Sequence, residues 1–222
     1  MIHKIKILDD VVVKHILNFY EFCEFRDGES TGPKDKKVKN NQELYDEVHK
    51  PALNKLVLDK LYGNRTLTDG LLGYRFVPPL FLKYDEGCHY SFHNDFYFQN
   101  DSIKTDYSIT IFLSDPSEYT GGELCIKVGD QEIEFKEPPG CAIVYPTGLW
   151  HTVRPITSGT RKVVVSWFES IIADDSIRSA CYELSQLMER SLDENCEETL
   201  IRDQQLAIEN IRFNLIRKHG KF

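Results

Sequence analysis

Apolar side chains at Val12, Ile16, Phe19 and Cys23, with Val13 and Tyr20 beside them, recur at helical spacing and predict an amphipathic helix over Val11–Phe25. The stretch 27–33 is dense in turn residues and ends it. A second helical pattern covers Leu44–Tyr62, broken at Pro51 and stopping before Gly63. From Leu71 the texture changes, and short runs rich in Val, Ile, Phe, Tyr and Thr alternate with Gly, Asp and Pro. Strands are predicted at Arg75–Val77, Leu80–Tyr84, Tyr107–Leu113, Leu124–Val128, Gln131–Phe135, Cys141–Tyr145, Thr152–Pro155 and Arg161–Glu169, with Gly129-Asp130 as a hairpin turn. So many short strands at close spacing indicate an all-β sandwich or barrel. No helical pattern separates neighbouring strands, which argues against a parallel α/β sheet. Helical spacing then returns. Ile177, Ala180, Cys181, Leu184, Leu187 and Met188 form one apolar stripe, and Ile201, Ile208, Ile211 and Leu215 a less regular second. Asn195 with Glu198 reads as a capping box, and Gly220 follows the last helix. Both stripes are expected to pack on the β core. The alternative is that one pairs with a second copy of the chain, giving a homodimer. The predicted division is an N-terminal helical and loop region over 1–70, a β core over 71–172 and a C-terminal helical extension over 173–222.

Composition narrows this picture. The chain has 222 residues, 27 basic and 35 acidic side chains and a formal net charge of −8. That balance disfavours general binding to nucleic acid or to an anionic membrane surface. Even Val163–Phe168 is far shorter than a membrane span. The opening Met1–Asp10 has no long apolar core and no small-residue cleavage site, so a secretory leader is not expected. The six cysteines, at 23, 88, 125, 141, 181 and 196, form no C-x-x-C pair and read as reduced thiols in a cytoplasmic setting.

The candidate chemistry centres on the segment from Tyr84 to Asp95, which ends in the triplet His93-Asn94-Asp95. On extended backbone, residues two apart point to one face, so an imidazole and a carboxylate can meet one metal ion. His151, in Tyr145-Pro-Thr-Gly-Leu-Trp-His151, is the natural third ligand. Two histidines and one carboxylate with open positions make the facial triad of non-haem Fe(II) oxygenases. Ligating imidazoles must be neutral, so metal affinity is expected to fall in acid. Arg161, at a strand start, is placed to grip a dicarboxylate beside that metal through two parallel hydrogen bonds. A zinc-protease reading through His89 and His93 needs a helix and a following Glu. Tyr90 follows instead, among residues that favour extended structure. No G-x-S-x-G, P-loop or dinucleotide fingerprint is present.

Further pieces fall in order along the chain: Asp27-Gly28, Thr31-Gly32, Val38–Gln42, Tyr84, Gly87, Tyr90, His93, Asp95, Thr105–Ser108, Ile111–Pro116, Tyr119, Gly121–Leu124, Pro139-Gly140, Val144–Pro146, His151, Val153, Pro155, Thr157, Gly159, Arg161, Trp167 and Ser170. Together they resemble the iron(II)- and 2-oxoglutarate-dependent dioxygenases of the prolyl-4-hydroxylase-like branch, and within it the PKHD-type hydroxylases, over about residues 25–190. The resemblance implies a mainly β fold with flanking helices, built on a double-stranded β-helix or jelly roll. It implies Fe(II) on His93, Asp95 and His151, with Arg161 on the distal carboxylate of 2-oxoglutarate and Tyr84 beside that co-substrate. Trp167 is expected to pack behind the site. A second tyrosine that assists the arginine in related enzymes corresponds to Phe112, which has no hydroxyl. Ser108, Thr110 or Ser166 are the candidates to replace it. The implied activity is O2-dependent hydroxylation of an unactivated C–H with succinate and CO2 as co-products and ascorbate as an auxiliary reductant. The substrate class is a protein or peptide side chain, proline first, with a free amino acid or small metabolite as the alternative. A binding protein on a dead jelly roll is opposed by the intact His93, Asp95, His151 and Arg161. Tyr90, Phe96, Tyr97 and Phe98 suit either a substrate groove or a core. Lys34, Lys36, Lys37 and Lys39 read as a solvated loop or as a basic entrance.

Overall fold

The computed structural model describes residues 1–28, 35–99, 102–191 and 198–221. Thr31, Gly32, Lys34, Asn195, Cys196 and the side chain of Ile201 lie outside them. The chain forms two compact units, one of residues 1–61 and 76–168, the other of 62–75 and 169–222.

Among the described residues the first unit holds two main antiparallel sheets and two short two-stranded ones, Tyr119–Gly121 with Ile156–Gly159 and Phe98–Gln99 with Ile103–Lys104. The larger runs His3–Lys6, Cys141–Pro146, Tyr107–Phe112, Arg161–Ser170, Leu80–Tyr84, Gln42–Leu44, Phe25–Asp27. The smaller runs Gln131–Phe135, Leu124–Val128, His151–Val153, His89–His93, Lys39–Asn40. One apolar cluster joins their inner faces: Leu82, Phe112, Ile143 and Val163 from the larger sheet meet Leu124, Ile126 and Val153 from the smaller. Each such side chain contributes roughly 1.5–3 kcal/mol by leaving water. The architecture is the double-stranded β-helix. The turn between Leu124–Val128 and Gln131–Phe135 has two residues, and Gly129 at φ 61° supplies the positive φ that a tight hairpin needs.

The first helix, Asp10–Phe22, starts at the Asp9 cap, whose carboxylate accepts from the Val12 amide at 2.9 Å. It buries Val12, Val13, Ile16 and Tyr20, and the Tyr20 hydroxyl donates to the Val163 carbonyl at 2.9 Å. It stops before Phe25, which instead opens an edge strand paired with Gln42–Leu44. The second helix is Lys50–Tyr62, not Leu44–Tyr62. Leu44 closes a strand, and Pro51 sits in the first helical turn, where its missing N–H breaks no helical bond. Pro51 therefore helps to start this helix and does not interrupt it.

In the second unit, helices Asp175–Ser191 and Glu198–His219 pack together. Ile177 and Cys181 of the first stripe meet Leu215 and Ile216 of the second helix, with Leu72 and Ile172. Among the described residues no helix is long and apolar enough to cross a membrane.

Candidate active site

Three cross-strand pairs build the site. In the smaller sheet His93 lies opposite His151. In the larger sheet Ser108 lies opposite Trp167, and Arg161 opposite Tyr84. Directly opposed residues on one sheet face have neighbouring side chains, so register alone assembles each pair. A register shift follows His151, the kind of irregularity that re-aims a side chain beside a site.

His93, Asp95 and His151 each offer a ligand atom, and these atoms lie within 4.8 Å of one another. Asp95 Oδ1 is 3.7 Å from both His93 Nε2 and His151 Nε2. The Nδ1 atoms face backbone carbonyls two residues back, His93 to Ser91 at 2.8 Å and His151 to Leu149 at 3.0 Å. A carbonyl oxygen can only accept, so each Nδ1 carries a hydrogen, and in a neutral ring of this tautomer Nε2 is the atom with the lone pair. Burial, reinforced by His151, pulls His93 down to about 4. It is therefore neutral at pH 7, and its approach to Asp95 prearranges ligands and is not an ion pair. The Tyr90 ring stacks on His93 with centroids 3.5 Å apart and the His151 ring lies 4.2 Å away, so the imidazole cannot swing.

The carboxylate is held from the opposite sheet. Asp95 Oδ2 accepts from Ser108 Oγ at 2.7 Å and from Trp167 Nε1 at 2.8 Å, which turns Oδ1 toward the histidines. Two imidazole Nε2 atoms and one oriented carboxylate oxygen suit a divalent transition ion. Trp167, expected as packing, thus orients the candidate ligand Asp95. Ser108 is committed to Asp95, and Ser166 donates to the Val77 carbonyl at 2.7 Å, so neither is free to assist Arg161. Outer partners of this kind typically tune metal affinity by ~10–100-fold. Trp167→Phe and Ser108→Ala are each expected to weaken metal binding by about that factor while the fold persists. Metal titration followed by thermal melting checks both, and an unchanged affinity would reduce these contacts to packing.

Arg161 is 1% exposed, and its Nε and Nη2 are buried with no hydrogen-bond partner. Its guanidinium carbon sits 5.1 Å from the Tyr84 ring centroid and 5.4 Å from that of Phe112. These rings soften the cost of a buried cation but accept none of its hydrogen bonds. Tyr119 was not singled out for chemistry by sequence reasoning. Its hydroxyl is buried without a partner, and burial raises its pKa while the nearby Arg161 opposes the rise. Gly122, at φ 70°, lets these two side chains close up: a Cβ there would lie 3.1 Å from Arg161 Cδ and 3.2 Å from the Tyr119 ring. In the sequence Tyr119 stood only among the ordered pieces of the family resemblance, just before the pair Gly121-Gly122, with no chemistry assigned to it.

A cavity of about 630 Å³ links these groups; its wall includes His93, Asp95, His151, Arg161, Tyr84 and Lys39. Of the lysine run, Lys39 turns inward. It is buried, its Nζ donates to the Gly28 carbonyl at 2.8 Å, and burial lowers its pKa. Lys36 and Lys37 stay outside, with Lys36 paired to Asp27 at 2.6 Å. Phe96, Tyr97 and Phe98, directly after Asp95, are exposed and so are not core. Trp150, before His151, is exposed as well. Asn94 Nδ2 donates to the Gly148 carbonyl at 2.7 Å and ties the loops that carry Asp95 and His151 together.

Residues 79–169 match the model of the 2OG-Fe(II) oxygenase superfamily. A PKHD-type hydroxylase of Sphingopyxis alaskensis is 35% identical over 84% of this chain and 87% of its own. One from Janthinobacterium is 36% identical over 90% and 92%. Among solved structures, a Trichoplax adhaerens prolyl hydroxylase in complex with a hypoxia inducible factor peptide fragment superposes with a TM-score of 0.60 at 15% identity, covering 81% of this chain and 86% of that one. A Pseudomonas putida prolyl-4-hydroxylase gives a TM-score of 0.51 at 20% identity, covering 76% and 92%.

Proposed function

Because the chain belongs to the 2OG-Fe(II) oxygenase superfamily as a PKHD-type hydroxylase, using Fe(II), 2-oxoglutarate and O2, we propose that it hydroxylates a side chain of a peptide or protein, proline being the first candidate. In this reading His93, Asp95 and His151 hold the iron, Arg161 anchors the distal carboxylate of 2-oxoglutarate, and Tyr84 lies against the co-substrate. The observation that carries the site assignment is that the three converging donors share one cavity with a buried guanidinium bearing unpaired donors. A dicarboxylate meets that need, because its second carboxylate remains free to reach the metal end of the cavity.

His93, Asp95 and His151 would hold the iron, which would supply the O2 activation that the oxidative decarboxylation of 2-oxoglutarate requires. The chain's own groups bind, orient and shield. Ser108 and Trp167 fix the carboxylate, the Ser91 and Leu149 carbonyls fix the imidazole tautomers, and the aromatic walls of the cavity limit water. Each turnover consumes one O2 and one 2-oxoglutarate, puts one oxygen atom into succinate and the other into the substrate, and releases CO2.

A macromolecular substrate is supported by the exposed aromatics Phe96, Tyr97 and Trp150 beside the ligands, since large rings in water beside a site commonly mark a contact surface. The hypoxia inducible factor peptide named with the Trichoplax neighbour points the same way. The test is O2-dependent formation of succinate with Fe(II), followed by mass spectrometry for a gain of one oxygen across proline-containing peptides and free amino acids. Products confined to free amino acids would move the substrate to the small-metabolite class.

Tyr119 takes the place left open by Phe112 in this reading, its hydroxyl completing the grip on the carboxylate held by Arg161. Tyr119→Phe is expected to raise KM for 2-oxoglutarate ~10-fold, the loss of one hydrogen bond to a charged group, with little change in kcat. Steady-state kinetics with varied 2-oxoglutarate checks this, and an unchanged KM would remove Tyr119 from the site.

A further inference from the structure

We propose that Cys23, Asp46 and His49 form a second cation site, separate from the catalytic triad, for a borderline divalent ion of the zinc class. Their ligand atoms lie within 4.8 Å of one another, and no described group of the catalytic cavity takes part. Cys23, a free thiol, closes helix Asp10–Phe22, its backbone N–H donating to the Phe19 carbonyl at 2.9 Å. The last turn of that helix has no basic side chain, so nothing on the helix itself balances the negative end of its dipole. Asp46 is oriented by its own backbone: Oδ1 accepts from the Val48 and His49 amides at 2.9 and 2.8 Å, leaving Oδ2 to face His49 Nδ1 at 2.8 Å. Phe19 and Phe22 flank the His49 ring, with centroids at 5.5 and 5.6 Å, and give the cluster an apolar shell.

The donor set selects the ion. Sulfur, imidazole nitrogen and a single carboxylate suit Zn(II) or Co(II) and not Mg(II) or Ca(II), which demand oxygen. The Asp46 carboxylate serves both the His49 ring and the Cys23 thiol, so the three groups are drawn to one point where a cation would replace the two hydrogens between them. Burial and the hydrogen bond to Asp46 raise the Cys23 thiol to about 11. Binding breaks the S–H bond, sends that proton to the solvent and leaves the thiolate on the metal. In the ion-free protein His49 Nδ1–H donates to Asp46 Oδ2 at 2.8 Å; on binding, that proton passes through solvent to Nε2 of the part-exposed ring, and the imidazole binds through Nδ1. The ion would tie the end of Asp10–Phe22 to the turn that enters Lys50–Tyr62, whose Lys50 and Asn54 line the catalytic cavity.

Titration of the full-length protein with Co(II), followed by absorbance, tests this. The expected result is two equivalents bound and a near-ultraviolet thiolate-to-cobalt charge-transfer band, which the triad cannot produce because it has no sulfur. Cys23→Ser is expected to lose the band and one equivalent while keeping the other at the triad. His49→Gln, on a part-exposed side chain, is expected to weaken or abolish the same band without touching the thiol. One equivalent with no band in the wild type, a band that survives Cys23→Ser, or a band unaltered by His49→Gln would each overturn the proposal.

Discussion

Asp95→Ala is expected to bring O2-dependent conversion of 2-oxoglutarate to succinate below detection. The variant removes the one carboxylate among the three convergent donors, leaving two imidazoles, which carry no negative charge, to hold a divalent ion. It also strips Ser108 Oγ and Trp167 Nε1 of their shared acceptor. A buried donor left without a partner costs about 1–3 kcal/mol, so the melting temperature is expected to fall as well. Asp95→Asn separates the two effects. Its amide oxygen still accepts from Ser108 and Trp167, while the amide nitrogen it turns toward the histidines has no lone pair to give. The asparagine variant is therefore expected to melt close to the wild type and still lose iron and turnover. Succinate formation, metal content and thermal melting of both variants check this together. Wild-type turnover in either would remove Asp95 from the metal-binding set.

The contrast between Asp95 and its supports shows how far the sequence could be read. The triplet His93-Asn94-Asp95 is local, and its meaning follows from the period of extended backbone. The strands Leu80–Tyr84, Leu124–Val128 and Gln131–Phe135 are equally local, and their predicted bounds match the structure. The bonds that aim Asp95 come from Ser108 opposite Trp167, a pairing set by which strands neighbour each other in the larger sheet. Nothing near Trp167 in the sequence marks it as a donor to residue 95, so it read as packing. For the same reason Ser108 and Ser166 looked available to Arg161: one register step apart on facing strands, they lie on opposite faces, and only the register says what each one meets. Tyr119 was hidden differently. Its strand, Tyr119–Gly121, pairs only with Ile156–Gly159, and both are too short to give a period. Pro51 was misread because a proline that opens a helix and one that breaks it differ only in where the first turn begins.

Arg161→Met is expected to make the protein harder to melt and nearly unable to use 2-oxoglutarate. The guanidinium is the largest fully buried side chain of the described residues, and two of its nitrogens have no hydrogen-bond partner. Among the described ion pairs none involves it. An uncompensated buried charge is paid for in folding stability, and apolar replacement of buried ionic groups is often stabilising by ~1–4 kcal/mol. Methionine keeps the unbranched stem that packs beside Tyr84, Phe112 and Gly122. The co-substrate reverses that balance. A carboxylate supplies the missing acceptors, and losing one partner of a buried, hydrogen-bonded charge pair costs about 2–5 kcal/mol, so KM should rise roughly 30- to 4,000-fold. The decisive comparison is melting with and without 2-oxoglutarate. The wild type is expected to start lower and rise steeply with ligand, following the logarithm of ligand over Kd, while the variant starts higher and stays flat. A variant that is less stable without ligand and keeps its KM would mean that Arg161 is a structural cation whose partner lies within the fold. The crossing of the two curves is what a binding residue held ready at the expense of stability must show.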